Sequence, residues 1–303
     1  VPTELVHKAS NKIRSALNAV CFTPDGRRLL TGSNNGEITI WGSHLLNYET
    51  TFQAHDSAIR VMRWSHGRDW LISGDNNGDI KYWRRNLSEL PSLKAHNSVS
   101  IRDLSFAPSD ARFVSCGDDA VIKIWSFRTK QEESHLIGHG WDVRTVDWHP
   151  FKGIIASGGK DNTIILWDPR SGGRKLTSIH GHHNAIVSVR WNQNGNWFAS
   201  ASRDNLIRVF DIRMMAELQQ MRGHQVELGA IVWHPHHESL LTSGSANGQI
   251  RHWIVGEENS VAVIDKAHDY AAWALDYHPD GHLLASGSND TTARIWRPVR
   301  PGE

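Results

Sequence analysis

A histidine, a serine and an aspartate recur together along the chain, and this combination is the one used for nucleophilic catalysis. Three sets are complete in that a tryptophan follows them as well: His96, Ser115 and Asp119; His139, Ser157 and Asp161; His268, Ser286 and Asp290. A hydrolase needs such a base beside the hydroxyl and a third group that orients the base. A catalytic site occurs once, however, whereas this set returns at nearly equal spacing. The repetition predicts a scaffold and not an enzyme, with no small-molecule substrate.

The 19 histidines of the chain also suggest metal binding. Two runs are rich in histidine, His180–His183 and His234–His237. Nine of the 19 have a place in the repeat, because six histidines recur with the set above and His149, His234 and His278 each precede a proline in equivalent turns. No cysteine and histidine spacing of the zinc type is present. We therefore expect no metal and no other cofactor.

The aromatic residues show the period of the repeat. One series recurs every 42 or 43 residues, at Trp41, Trp83, Trp125, Trp167, Phe210, Trp253 and Trp296. Ten residues before each stands a small hydroxyl residue: Thr31, Ser73, Ser115, Ser157, Ser200, Ser243 and Ser286. Six residues before each aromatic residue of the series stands Asn35, Asn77, Asp119, Asp161, Asp204, Asn247 or Asp290. A histidine also recurs in every repeat except the first. The chain thus contains seven repeats.

Each repeat contains short alternating runs separated by turn residues, which is the pattern of antiparallel strands. With an outer strand such as 175–179, every unit supplies four strands. Seven four-stranded units of this length predict an all-β, seven-bladed β-propeller that occupies residues 1–303 as one domain.

Composition excludes several classes of protein. The 33 basic and 32 acidic residues give a net charge of +1, so a nucleic acid or membrane cannot be attracted by a general basic field. Mean hydropathy is −0.46 and no apolar run approaches the ~20 residues of a membrane span. Residues 1–10 lack the pattern of a signal peptide. Two cysteines, Cys21 and Cys116, favour a reducing compartment, the cytosol or the nucleus.

The segment from Gly138-His139 to Trp167-Asp168 resembles the WD repeat, and the resemblance covers essentially the whole chain. It implies that the histidine, hydroxyl, aspartate and tryptophan of a blade form a buried hydrogen-bond relay, complete where Trp125, Trp167 and Trp296 follow the three sets above. A buried indole N–H without an acceptor would cost about 1–3 kcal/mol. Phe210 has no N–H, so the fifth relay should be incomplete.

Where asparagine replaces the turn aspartate, glycine always follows, at Asn35-Gly36, Asn77-Gly78 and Asn247-Gly248. Asn-Gly favours two consecutive residues with positive φ. We expect these three turns to depend on backbone geometry in place of the relay.

The two ends of the chain are expected to close the ring. Only seven residues follow Trp296, too few for an outer strand, whereas about ten residues precede the first innermost strand. Residues 1–9 should therefore supply the outer strand of the last blade.

Departures from the repeat indicate the partner-binding surface. At the start of the innermost strand three adjacent blades have arginine, namely Arg60, Arg102 and Arg144. These are either solvated charges or a basic arc at the channel mouth for an acidic partner or a phosphate backbone. Trp141 and Trp273 have no role in the repeat, and they either contact a partner or pack into a neighbouring blade.

A second pattern favours another partner. Trp167-Asp168-Pro169-Arg170 and Phe210-Asp211-Ile212-Arg213 resemble the Trp-Asp-x-Arg pattern of substrate receptors for cullin-based ubiquitin ligases. A receptor of that kind, or a generic WD-repeat interaction scaffold, is the alternative function.

Longer stretches resemble one particular family. Gly138–Val143, Val146–Pro150, Asn192–Trp197, His252–Gly256 and Ser286–Asp290 are similar to the WD-repeat subunit of the nuclear cleavage and polyadenylation specificity factor, which includes a plant flowering-time regulator and a yeast polyadenylation-factor subunit. The match extends from Ser10 to Gly302. It implies a nuclear, non-enzymatic subunit that docks on a large multi-propeller scaffold subunit and, with a zinc-finger subunit, recognises the AAUAAA signal of pre-mRNA.

The family's RNA contacts fall on Tyr48, Thr51 and Ser10 of this sequence. A ring at position 48 suits single-stranded RNA, because bases stack on aromatic side chains; the alternative is a tyrosine packed on the next blade. The family's basic segment before the propeller and its Pro-rich tail have no counterpart in the sequence, so we expect this chain to be part of a longer protein.

Overall fold

The computed structural model describes residues 1–299, apart from the side chain of Ser171. It contains seven four-stranded antiparallel sheets, each ordered from an innermost to an outermost strand. The end of the sequence match, at Gly302, lies outside the described residues. No helix in the described part of the chain has the length and apolar character needed to cross a membrane.

The first four blades consist of consecutive strands. Blade one has β2 (Leu17–Phe22), β3 (Arg28–Ser33), β4 (Glu37–Gly42) and β5 (Tyr48–Gln53). Blade two has β6 (Ile59–Trp64), β7 (Trp70–Asp75), β8 (Asp79–Arg84) and β9 (Glu89–Lys94). Blade three has β10 (Ile101–Phe106), β11 (Arg112–Gly117), β12 (Val121–Ser126) and β13 (Glu132–Ile137). Blade four has β14 (Val143–Trp148), β15 (Ile155–Gly159), β16 (Thr163–Asp168) and β17 (Arg174–His180), with a 3-10 turn at Pro169–Ser171 before β17.

Blades five and six continue the order, and blade seven departs from it. Blade five has β18 (Ile186–Trp191), β19 (Trp197–Ser202), β20 (Ile207–Asp211) and β21 (Ala216–Met221). Blade six has β22 (Leu228–Trp233), β23 (Leu240–Ser245), β24 (Ile250–Ile254) and β25 (Ala262–Ile264). Blade seven has β26 (Ala272–Tyr277), β27 (Leu284–Ser288) and β28 (Thr292–Pro298), and its fourth strand is β1 (Pro2–Ser10) from the start of the chain.

The expected closure of the ring by the N-terminal strand is confirmed. β1 pairs antiparallel with β28, from Pro2 opposite Pro298 to Ser10 opposite Thr292. The Glu4 carboxylate accepts hydrogen bonds from Arg297 at 2.9 and 3.0 Å. In the next blade, buried His252 donates through Nε2 to the Pro2 carbonyl at 2.8 Å. The first strand therefore stabilises the boundary of blades six and seven.

Seven apolar clusters fill the space between neighbouring blades. Each cluster combines strands of two adjacent units, as where Val114 and Ile124 of blade three meet Val143 of blade four. The cluster between blades seven and one contains Leu17 and Ile295. Since a single four-stranded sheet would leave one such face exposed, the blades depend on one another for burial.

Candidate functional site

The predicted relay residues meet in the three blades with complete sets. In blade four, His139 Nδ1 lies 2.9 Å from Asp161 Oδ2 and Nε2 lies 2.7 Å from Ser157 Oγ, which accepts from Trp167 Nε1 at 2.8 Å. Blades three and seven have the same bonds, with distances from 2.7 to 2.9 Å. Ser157 is fully buried and its hydroxyl already serves the indole and the imidazole. Such a hydroxyl has no access to a substrate.

The carboxylate is the charged member of this relay. Burial alone would raise the pKa of Asp161, but hydrogen bonds from His139, Thr163 and the Gly140 amide outweigh burial and hold the pKa well below its usual range. The same balance lowers the pKa of Asp290 in blade seven. Both aspartates are therefore ionised over the physiological range.

In blade two the expected loss of the relay is wrong. His55 Nδ1 lies 3.1 Å from Asp75 Oδ2 and Nε2 lies 2.6 Å from Ser73 Oγ, which accepts from Trp83 Nε1 at 2.9 Å. Asp75 also accepts the backbone N–H groups of residues 77 and 79, so it replaces both functions of the turn aspartate. The other repeats have serine or glycine at the position of Asp75, and this departure was the available signal.

Relays in the remaining blades are shorter. His182 contacts Asp204 at 2.9 Å and Ser200 at 2.7 Å, but Phe210 contributes no N–H, as expected. In blade six His224 and Trp253 share Ser243, at 2.7 and 2.8 Å, while the Asn247 side chain accepts from Ser245. Blade one retains only the bond from Trp41 to Thr31, at 3.0 Å.

The Asn-Gly turns do not have two positive φ values, which corrects the expected turn type. Only the glycine is left-handed, with φ of 86° at Gly36, 85° at Gly78 and 78° at Gly248. The residue after the aspartate is left-handed in the other blades too, for example Asn162 with φ of 64°. One residue with positive φ is thus common to all seven turns, and glycine lowers its cost.

The histidines before proline connect successive blades. Nε2 of His149 and His234 donates to the carbonyl groups of Gly195 and Gly281, at 2.8 and 3.0 Å, and Nδ1 of each accepts backbone N–H groups of its own turn. His278 makes the same bond to Gly26 at 2.9 Å and accepts the Asp280 N–H. Both ring nitrogens are therefore in use.

The hydrogen bonds of these histidine rings compete with metal binding. Among the described residues, one group could place three donors together, with ligand atoms of His278, Asp280 and His282 within 4.8 Å of one another. Binding through His278 would break a hydrogen bond of the turn.

Tyr48 is accessible at the first residue of β5. Its side chain is 44% exposed, and its ring meets the buried Trp41 ring edge to face, with the centroids 6.0 Å apart. The Lys12 ammonium, from the loop after β1, lies 4.7 Å above the Tyr48 ring. The sequence reasoning missed Lys12, because only closure of the ring brings this loop to blade one.

The two other residues assigned to RNA are placed differently. Thr51 donates to the Ile38 carbonyl at 3.2 Å and its hydroxyl lies 3.0 Å from that of Thr39, so its polar group is committed within the blade. Ser10 is exposed at the end of β1, two residues before Lys12. The loop is fixed by Asn11, whose side-chain oxygen accepts the Ser15 N–H at 2.9 Å. This fixed loop and Tyr48 form one surface.

Arg60, Arg102 and Arg144 line one end of a central cavity of about 940 Å³. Burial lowers the pKa of Arg60, and the neighbouring Arg102 and Arg144 lower it further. Trp273 lines the same cavity, whereas Trp141 lies outside it, 61% exposed, with Lys160 Nζ 5.8 Å from its ring centroid. The three arginines thus form one cluster at the channel mouth.

The arginines of the Trp-Asp-x-Arg pattern pair within their own turns. Arg170 donates to Asp168 at 2.9 and 3.0 Å, and Arg213 binds Asp211 in the same way, at 2.6 and 3.1 Å. Both arginine side chains are exposed, at 74% and 60%.

The ring of sheets and the repeated relay define a WD-repeat β-propeller. The family model described as WD domain, G-beta repeat matches seven segments, which are residues 5–42, 46–84, 87–126, 130–168, 173–211, 215–253 and 259–297. Similarity to individual proteins identifies the family within this class. The chain belongs to the polyadenylation factor subunit 2 family.

Three fungal proteins named polyadenylation factor subunit 2 show the extent of the similarity. The one from Schizosaccharomyces pombe is 54% identical over 327 residues, which covers 99% of this chain and 64% of the relative. Those from Eremothecium gossypii and Saccharomyces cerevisiae are 54% and 52% identical, covering 99% of this chain and 68% and 65% of the relatives. This chain spans less than two thirds of the fission-yeast relative.

Proposed function

We propose that this chain is a non-enzymatic scaffold and RNA-recognition subunit of the nuclear machinery that cleaves and polyadenylates pre-mRNA, and that it helps to recognise the AAUAAA signal. The names of its relatives support membership in a polyadenylation factor. The burial of the histidine and the serine in every complete set supports a scaffold in place of a hydrolase.

One observation supports an RNA contact above the others, namely the exposed Tyr48 ring with a lysine ammonium against it. An aromatic face stacks on any base, and a cation beside it attracts the phosphate backbone. A net charge of +1 supplies little attraction by itself, so AAUAAA binding is expected to need the large multi-propeller scaffold subunit and the zinc-finger subunit.

The test is binding of an AAUAAA oligonucleotide by the assembled complex. Tyr48→Ala should weaken binding by about 1–3 kcal/mol, the worth of one aromatic stack, and Tyr48→Phe should retain most of the affinity. Phe151→Ala is the matched control, because this aromatic residue is 70% exposed and lies in blade four, outside the cavity lining. If Tyr48→Ala binds the oligonucleotide with wild-type affinity, Tyr48 is not an RNA contact.

Recovery of partners from nuclear extract tests the assignment to the complex. The proposal expects the scaffold and zinc-finger subunits to be recovered with the tagged chain. Recovery of a cullin and its adaptor in their place would favour the substrate-receptor alternative, and the exposed Arg170 and Arg213 would then be the residues to mutate.

A further inference from the structure

The mouth of the central channel has two chemically different sides. The second residue of the innermost strand lines the cavity in every blade. In blades two to four it is Arg60, Arg102 and Arg144, whereas in blades five to seven it is Val187, Gly229 and Trp273. A ligand at this mouth would therefore meet cations on one side and apolar groups on the other.

The cations at the mouth outnumber their carboxylate partners. Arg102 donates to Asp118, with Nε at 2.7 Å from Oδ1. Arg144 and Lys160 share the single carboxylate of Asp142, at 3.4 and 3.8 Å. Arg203, which also lines the cavity, lies 3.2 Å from Glu227.

Arg60 is the cation with no carboxylate within ion-pair distance among the described residues. Asp118, which attracts it electrostatically, is already hydrogen bonded to Arg102. Within residues 1–299 its side chain donates only to the neutral Asn76 amide oxygen, at 2.9 and 3.3 Å. It is half-buried beside two other arginines. An anion beside Arg60 would offset both its lost hydration and the repulsion from Arg102 and Arg144.

The opposite side of the mouth is built for an apolar contact. A Cβ atom at Gly229 would lie 2.9 Å from Trp273 Cε3, so glycine is what allows the indole to lie across the blade boundary. Tyr270, 65% exposed, lines the mouth in the same blade as Trp273. Tryptophan, tyrosine and arginine are the residue types most enriched at the centres of protein interfaces.

The channel below the mouth adds no excess of positive charge for a phosphate backbone. Its lining includes two carboxylates, Asp103 and Asp276, and two guanidinium groups, Arg63 and Arg190. Arg63 and Arg190 lie 3.3 and 2.6 Å from Asp103, and Asp276 accepts the Phe22 N–H at 2.8 Å. A short segment with one or two carboxylates matches the single unpaired cation better than a chain of regularly spaced phosphates does.

We propose that the channel mouth binds an acidic peptide segment of a protein partner, with a carboxylate against Arg60 and an aromatic or aliphatic side chain against Trp273. This surface is separate from Tyr48, and the proposal is independent of the proposed RNA contact.

To test this proposal, random dodecapeptides displayed on phage are selected for binding to the 303-residue chain. Selected peptides should combine at least two Asp or Glu residues with an aromatic residue. Arg60→Gln, which keeps a donor for Asn76, and Trp273→Ala should each weaken these peptides by about tenfold or more. Arg174→Gln, at an exposed arginine on the outer strand β17, should leave binding unchanged. Equal melting temperatures establish that the variants are folded.

Three results would overturn the proposal: no enrichment, enrichment of neutral or basic peptides, or equal binding of acidic peptides by folded Arg60→Gln. Binding of a single-stranded oligo(U) of about 15 nucleotides is measured with the same variants. If Arg60→Gln weakens this RNA and not the peptides, the mouth is a nucleic-acid site. Tyr48→Ala should leave peptide binding intact, so failure here is distinct from failure of the RNA assignment.

Discussion

At the scale of single residues, Asp161 fixes three other side chains at once. Its carboxylate binds His139, which contacts Ser157, whose hydroxyl accepts the Trp167 indole N–H. Asp161→Ala should lower the free energy of unfolding by roughly 1–3 kcal/mol, because the histidine loses its charged partner and the buried chain of hydrogen bonds is weakened. Urea unfolding measures this loss. Asp56→Ala, at an exposed aspartate, is the control, and an equal effect of both substitutions would contradict the relay.

Asp75 and Asn77 lie in one turn of blade two, and substituting each of them compares the carboxylate with the residue at the repeat position. Because Asp75 binds His55, we expect Asp75→Ala to cost about as much as Asp161→Ala, roughly 1–3 kcal/mol. Asn77→Ala should cost less, since the Asn77 contacts with Ser57 and Asp75 use its backbone N–H. Thermal unfolding of both variants decides between the two positions. A larger loss for Asn77→Ala would show that the repeat position, and not the carboxylate, determines stability.

These residues also show what sequence could predict. Fixed spacing was sufficient for the complete relays, since equivalent positions of identical blades must superpose. It failed for Asp75, because a carboxylate two residues earlier can reach the same imidazole. It also failed for Lys12 and Tyr48, whose contact depends on how blades seven and one are joined. Alignment of repeats contains no information on such contacts between blades.

At the scale of elements, β1 joins the two ends of the chain. Deleting residues 1–9 should lower the melting temperature of the whole protein, because β28 would lose its outer partner and His252 would lose the Pro2 carbonyl. Differential scanning calorimetry measures the effect. Deleting Val1 alone is the control, since it leaves β1 in place. A chain lacking residues 1–9 that melts like the intact one would contradict closure by this strand.

The strands themselves were predictable, but the turns were less so. Alternation and the seven-fold period were enough for the sheets, although strands such as β23 and β15 are buried on both faces. The Asn-Gly turns were predicted with the wrong geometry, because the prediction used the preference of Asn-Gly in two-residue hairpin loops. In this ring Ser33 and Ser245 donate to Asn35 and Asn247, and that side-chain bond favours a turn with a single left-handed residue.

At the scale of the whole molecule, buried histidines link stability to pH. Burial lowers the pKa of seven histidines, to about 3 for His224 and about 4 for His234 and His252, and also for His149, His182, His268 and His282. Below their unfolded pKa of about 6.5 the unfolded chain binds more protons than the folded one, so stability falls as pH falls. Three carboxyl groups oppose this trend, because burial raises the pKa of Asp276, to about 6, and also that of Asp79 and Asp147.

We therefore expect the free energy of unfolding to fall by about 2 kcal/mol between pH 7 and pH 5.5, because the histidines outnumber these carboxyl groups. Urea unfolding at several pH values measures the slope. His252→Gln, which keeps a donor for the Pro2 carbonyl, should be less stable at pH 7 yet show a shallower slope, because one titrating group is gone. His183→Gln is the control at an exposed histidine and should leave the slope unchanged. A stability that stays constant from pH 7 to pH 5.5 would mean that these imidazoles are as easily protonated in the ring as in the unfolded chain, which their burial between the blades opposes.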